Sequence, residues 1–162
     1  MNSRKADIND VKQFDVFLSH SHVDAVWVEQ LAQRLEDEAG LLTWLDKWVL
    51  VAGQSWQQAM AQGLYQAKTC AVCIGERTPL GWFREEIERA LNHQTRYPTF
   101  SVIPVLLPGA KTENVDNFLE LRTWVDFREP ADDAYAFHVL VCGIKGIAPG
   151  RWPFKKINKD TR

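Results

Sequence analysis

Trp82 and Glu86 stand four residues apart in the segment GWFREEIERAL, residues 81–91. An indole one helical turn before a carboxylate can wall a ligand and tune an acid. Phe83, Ile87, Ala90 and Leu91 recur at helical spacing and mark a buried stripe. At about 100° per residue, Glu85 points almost directly away from that stripe, into solvent. Glu86 falls roughly 85° from the stripe's centre, at the border of core and surface, with Trp82 on the same flank. A carboxylate so placed can hold a sugar hydroxyl or take a raised pKa. The same geometry also lets Glu86 pair with Arg84 or Arg89, and helix geometry alone favours that pairing.

Other chemistry-bearing residues are sparser. Ser19, His20, Ser21 and His22 form a run of hydroxyls and imidazoles. No cysteine or acid cluster beside it completes a metal site, and no neighbouring acid in the sequence orients a Ser–His pair. Cys70 and Cys73 form a CxxC within TCAVCIG. That segment reads as a buried strand, whose positions i and i+3 face opposite sides, so the pair cannot share a metal or a bridge. Three cysteines and no signal-peptide pattern in MNSRKADINDVKQ argue against a disulfide framework.

The elements that must position these residues alternate. FDVFLS (14–19) is an apolar run. Val23, Trp27, Leu31 and Leu35 recur every four residues and predict a helix from Asp24 to Glu38, with Asp24 as N-cap and Gly40 as its end. LLTWL (41–45) is a second strand, DKWVLVAGQS a loop with Gly53 as its flexible point, and Ser55 caps a helix running to Ala67. TCAVCI (69–74) is a third strand, followed by a turn-rich loop and the Trp82 helix. FSVIPVLLPG (100–109) is the longest apolar strand. A short helix over 115–121, a strand TWVDF (123–127) and a last helix over 132–142 complete the chain. Five strands alternating with five helices predict a parallel sheet covered on both faces by right-handed crossovers. A flavodoxin-like three-layer α/β sandwich with strand order 2-1-3-4-5 follows. Its ligand site is expected at the carboxyl ends of the strands, near loops 19–23, 46–54 and 75–81.

Composition sets the limits. A chain of 162 residues, 46% hydrophobic with seven tryptophans, suits one domain with a sizeable core. A net charge of −2 argues against a general nucleic-acid binder. No apolar run is long enough to cross a bilayer, which predicts a cytoplasmic protein without a membrane partner. The organisation expected is a leader over 1–13, a domain over 14–146 and a basic tail over 147–162. The segment 151–162 carries five basic residues against one acid and reads as a solvated tail or a linker.

Four motifs in order resemble a TIR (Toll/interleukin-1 receptor) domain of the bacterial kind. FDVFLSHSHVD resembles box 1, LDKWVLVAGQSW the second strand and BB loop, GWFREEIERAL the Trp-x-x-x-Glu helix, and FSVIPVLL the fourth strand. The resemblance spans about 14–146. It implies one of two roles: a non-catalytic adaptor that scaffolds signalling through TIR–TIR contacts, or an enzyme that cleaves NAD+ between nicotinamide and ribose, as in antiviral defence. By that resemblance Glu86 is the catalytic carboxylate, and NAD+ is the substrate, with no separate cofactor and no metal. Trp82 then walls the nicotinamide or ribose, or is a plain core-edge tryptophan. Ser19, His20, Ser21 and His22 are candidates to hold the phosphates. Asp46, Lys47 and Trp48 are candidates near the ribose or nicotinamide, or form a solvated loop.

The family further implies that the BB loop, here Val49, Leu50, Val51, Ala52 and Gly53, packs against a neighbouring TIR domain. Head-to-tail packing of this kind can extend into a filament and can complete the active site across the contact. The apolar run fits a contact surface, or an extension of strand two, or a segment tucked beneath the domain. A fused or separate sensor protein is an implied partner. Two other modules of similar fold remain as alternatives: a response regulator, which needs an acidic pair where SHSH stands, and a flavodoxin, which needs a hydroxyl-rich phosphate loop there.

Overall fold

The computed structural model describes residues 12–78, 88, 92, 96–97, 99–112 and 122–152. Trp82 and Glu86, the short helix expected over 115–121 and both chain ends lie outside the described residues. Among the described residues, five parallel strands form one sheet: β1 (Val16–Ser19), β2 (Thr43–Trp44), β3 (Thr69–Ile74), β4 (Ser101–Leu106) and β5 (Val125–Asp126). Their order is 2-1-3-4-5, with every pairing parallel. This is the flavodoxin-like α/β arrangement expected from the alternation.

Side-chain alternation along each strand divides the core in two. Val16, Leu18, Ala71, Cys73, Ile103 and Val105 face one side. There they meet Val28, Leu31, Ala32 and Leu35 of α1 (Ala25–Ala39) and Ala136, Leu140 and Ile144 of a C-terminal helix, Asp133–Lys145. Phe17, Trp44, Cys70, Val72, Ile74, Val102 and Leu106 face the other. Cys70 and Cys73 therefore sit in different core halves, as strand geometry requires.

Trp44 organises the second half. Its ring stacks on Phe17 with centroids 4.3 Å apart and planes 14° from parallel. Its indole also lies against α3 (Trp56–Gln66) at Gly63, where a Cβ would overlap the Trp44 ring. Gly63 is thus required by close approach.

Three expectations change. The segment after β2 is not all loop: Asp46–Val49 form a single turn of helix, α2. Four residues are too few to leave a helical period in the sequence. Val23 is exposed and belongs to a 3-10 turn, His22–Asp24, that precedes α1, so the buried stripe begins with Trp27 and Val28. Asp24 holds the N-cap position of α1 but makes no side-chain capping bond. The turn before it is capped by Ser21, which leaves the Asp24 carboxylate to lean elsewhere.

Gly40 ends α1 as expected. It is left-handed at φ 65° and donates its amide to Glu36 O at 3.1 Å. Ser55 holds the N-cap position of α3, without a side-chain bond. Glu88, Asn92 and Arg96, at intervals of four, are helical and exposed. The C-terminal helix, α4 (Asp133–Lys145), follows a 3-10 turn at Pro130–Asp132. The chain beyond it folds back on α4: His138 stacks on Trp152 at 5.0 Å, and its Nε2 lies 2.7 Å from Pro149 O. No helix among the described residues is long and apolar enough to cross a membrane.

Candidate active site at the carboxyl edge of the sheet

The exits of β1, β2 and β3 lie side by side, because β1 is paired with both other strands. Ser19 ends β1 and is buried opposite Val72 of β3. His20 follows it, and its side chain is only 6% exposed. Its Nε2 lies 3.7 Å from Asp46 Oδ1 at the start of α2. At that distance the two side chains are neighbours without a hydrogen bond between them. The acid comes from the next strand's exit, 26 positions later in the chain. Asp46 Oδ1 also accepts the Lys47 amide at 2.7 Å.

Ser21 is buried, and its Oγ accepts the Val23 amide at 3.3 Å. That hydroxyl caps the 3-10 turn. His22 is exposed at the turn's first position. Within the run, His20 meets another candidate, Asp46.

Lys47 and Trp48 turn toward α1. Lys47 Nζ donates to Glu29 Oε2 at 2.8 Å, and Trp48 Nε1 to Glu29 Oε1 at 3.4 Å. These hydrogen bonds, Lys47's first, hold the Glu29 carboxyl below its ordinary pKa. Glu29 carried no signal in the sequence beyond lying on a helix, and it shows itself only once α1 and α2 are packed.

The expected assembly loop divides. Val49 and Leu50 pack against the Trp44 side of the core, so this half is tucked beneath the domain. Val51 is 69% exposed, with Ala52 and Gly53 beside it in solvent. Gly53 takes φ 86° in a turn closed by Gln54 N donating to Val51 O at 3.0 Å. Only Gly accepts that backbone without strain.

Asp24 and Thr78 are further members of the edge. Thr78 is buried; its Oγ1 accepts the Gly75 amide at 2.8 Å and lies 3.5 Å from Asp24 Oδ2. Burial raises the Asp24 pKa, against the lowering effects of Thr78 and of the nearby His20. The Asp24 charge in turn adds to the burial that pushes the Cys73 thiol far up. His20 and Asp24 of the β1 exit and Asp46 of the β2 exit thus form a polar cluster, which Thr78 joins from the β3 exit. Among the described residues, no three His, Cys, Asp or Glu are grouped to hold a metal ion.

The TIR domain profile matches residues 16–141. The chain belongs to the TIR domain family. Over 75 residues, 46% of the chain, this TIR domain is 29% identical to the NAD(+) hydrolase TcpA of Theionarchaea archaeon (strain DG-70-1). That match spans 22% of the relative's length. The fold is similar to the TIR domain of the Toll-related receptor TRR-2 from Hydra magnipapillata, at TM-score 0.60 and 16% identity over 82% of this chain and 98% of that one. It is similar to a metazoan TIR-STING receptor from C. gigas, solved with 2',3'-cGAMP, at TM-score 0.58 and 18% identity, covering 77% of this chain and 39% of the receptor. A prokaryotic SEFIR domain matches at TM-score 0.54 and 20% identity over 80% of this chain and 96% of that one. At these identities the solved structures share the fold.

Proposed function

We propose that this TIR domain is an NAD+ glycohydrolase that works when copies assemble. The similarity to an NAD(+) hydrolase over 75 residues carries the reading. The Trp82–Glu86 pair and the polar cluster at the strand exits support it. In this reaction the C1′–N bond breaks and its electron pair stays on the nitrogen, so cationic nicotinamide leaves as a neutral molecule. The ribose is left oxocarbenium-like. A carboxylate beside it, Glu86, stabilises the positive charge and holds the hydroxyls. Water then adds at C1′ and releases a proton to give ADP-ribose; attack by a group of the same molecule gives a cyclic isomer instead.

Because the edge already carries Asp24 and Asp46, it suits the cationic end of NAD+ better than its phosphates. The exposed Val51 turn is the part of the BB loop free to reach a second copy, head to tail. The resemblance to defence enzymes makes antiviral signalling, with a fused or separate sensor, the setting proposed for it.

The second reading is an adaptor that only binds other TIR domains. Exposed Trp48, Val51 and Trp56 favour it, since such side chains serve a contact surface whether or not chemistry follows. One assay separates the two. Concentrated protein is incubated with NAD+, with and without a crowding agent that forces assembly, and nicotinamide and nucleotide products are resolved. The enzyme releases nicotinamide, and Glu86→Ala abolishes release while melting like wild type. No release under either condition leaves the adaptor, and turnover by Glu86→Ala removes that residue from the mechanism.

A further inference from the structure

The Asp24 carboxylate touches the exit of β3. Gly75, the first residue after β3, is buried, and a Cβ built on it would overlap both Asp24 carboxylate oxygens. The Asp24 carboxylate therefore occupies the volume that a side chain at 75 would fill. Thr78 closes the arrangement from the other side. Its hydroxyl accepts the Gly75 amide at 2.8 Å and lies 3.5 Å from Asp24 Oδ2, while its own amide reaches Gly75 O at 3.4 Å. Asp24 comes from the β1 exit and Gly75–Thr78 from the β3 exit, so one carboxylate seats one loop against the other. The chain then continues from Thr78 to Trp82 in four residues and to Glu86 in eight.

We propose that Asp24 is a positioning residue for NAD+ cleavage: seated on Gly75 and against Thr78, it fixes the β3 exit, Gly75–Thr78, from which the chain runs on in sequence to Trp82 and Glu86. The inference rests on the glycohydrolase reading. It assigns Asp24 no contact with substrate. Its effect is geometric, so the shape of the side chain matters more than its charge. A misplacement of about 1 Å at a reacting group can cost on the order of a hundredfold in rate, so a loosened clasp is felt in turnover before it is felt in binding. The raised pKa of Asp24 agrees with a carboxylate retained in a partly buried place that disfavours its charge.

The test uses the full chain under assembling conditions, with nicotinamide release as readout. Asp24→Ala and Thr78→Val each lower kcat by about ten- to a hundredfold with KM little changed, and the double variant is no slower than the worse single one, because both break one clasp. Asp24→Asn and Thr78→Ser, which keep shape and hydrogen-bonding atoms, recover most of the rate. Gly75→Ala, which pushes the carboxylate aside without removing it, is slowed like Asp24→Ala. Folded Asp24→Ala and Thr78→Val with wild-type kcat overturn the proposal, as do multiplicative losses in the double variant or a Thr78→Ser as slow as Thr78→Val. A wild-type protein without turnover overturns the glycohydrolase reading and this role with it; an active wild type with indifferent variants overturns this role alone.

Discussion

Lys47 Nζ lies 2.8 Å from Glu29 Oε2, so the base that follows β2 is anchored to the second turn of α1. Trp48 shares the same carboxylate. The contact ties α2, and the loop after it, to the helix that covers the sheet. Glu29→Gln removes the ion pair and weakens that tie. The expected outcome is faster modification of Lys47 by an amine-reactive reagent, followed by peptide mass spectrometry, while the fold is unchanged. Equal labelling in both proteins contradicts the anchor.

The same contact has a defined pH dependence. The native Glu29 pKa is lowered, by Lys47 first and Trp48 second. Its stabilising effect is therefore complete above the unfolded carboxylate value and is lost as pH falls through the depressed native value. Trp48 resonances should titrate below the ordinary carboxylate range in wild type, and Glu29→Gln should abolish that step.

Asp24 has the opposite sign. Burial raises its native pKa, so the folded state binds the proton more tightly than the unfolded chain does. Its contribution is most favourable below the unfolded value and is lost as pH rises through the raised native value. Asp24→Asn removes the buried charge and keeps an acceptor for Thr78. It should match or exceed wild type in melting temperature at neutral pH, and wild type should gain on it as pH falls through that window. A variant clearly less stable at neutral pH means that the charge itself holds the loops.

Gly63→Ala sets two effects against each other. Helix propensity favours Ala by about 1 kcal/mol. A Cβ at 63 overlaps the Trp44 indole, which is buried and stacked on Phe17, and overpacking of this kind costs about 1–3 kcal/mol. Overpacking wins. The overlap is severe, so the upper half of that range applies, and chemical denaturation should show a net loss of about 1–2 kcal/mol, with a melting temperature lower by several degrees. A neutral or stabilising Gly63→Ala contradicts the close approach.

Cys70, Cys73 and Cys142 are all buried, and Cys73 is pushed far above the ordinary thiol range by burial and then by Asp24. Since thiolates are the reactive form, iodoacetamide should label none of the three in native protein near neutral pH and all three in denaturant. Rapid native labelling of Cys73 contradicts its burial.

The sheet was legible in the sequence because its signals are local. Runs such as TCAVCI and the glycine at 40 announce a strand and a helix end without reference to anything distant. The turn of helix at Asp46–Val49 was not, since one turn leaves no period. The edge was legible only in outline. Alternation of strands and helices brings the exits of β1, β2 and β3 together, but the partners there are decided by packing. Asp46 reaches His20, Glu29 takes Lys47 and Trp48, and Asp24 takes Thr78. Each pairing joins residues 18 or more positions apart, beyond any motif. The sequence suggests Asp24 as a helix cap because Asp commonly serves there; Ser21, by capping the preceding turn, leaves its carboxylate available for Gly75 and Thr78.

The outermost strands, β2 and β5, are two residues long each. Such stubs present too few unpaired amides and carbonyls to template a further strand. Growth of the sheet from one molecule into the next is thereby discouraged, and with it the runaway ribbon formation to which open parallel sheets are prone. At these two margins, what is offered to a neighbouring molecule is side chains more than backbone. The stunted margins of the sheet thus suit a reversible association, the kind that the proposed assembly-dependent activity calls for.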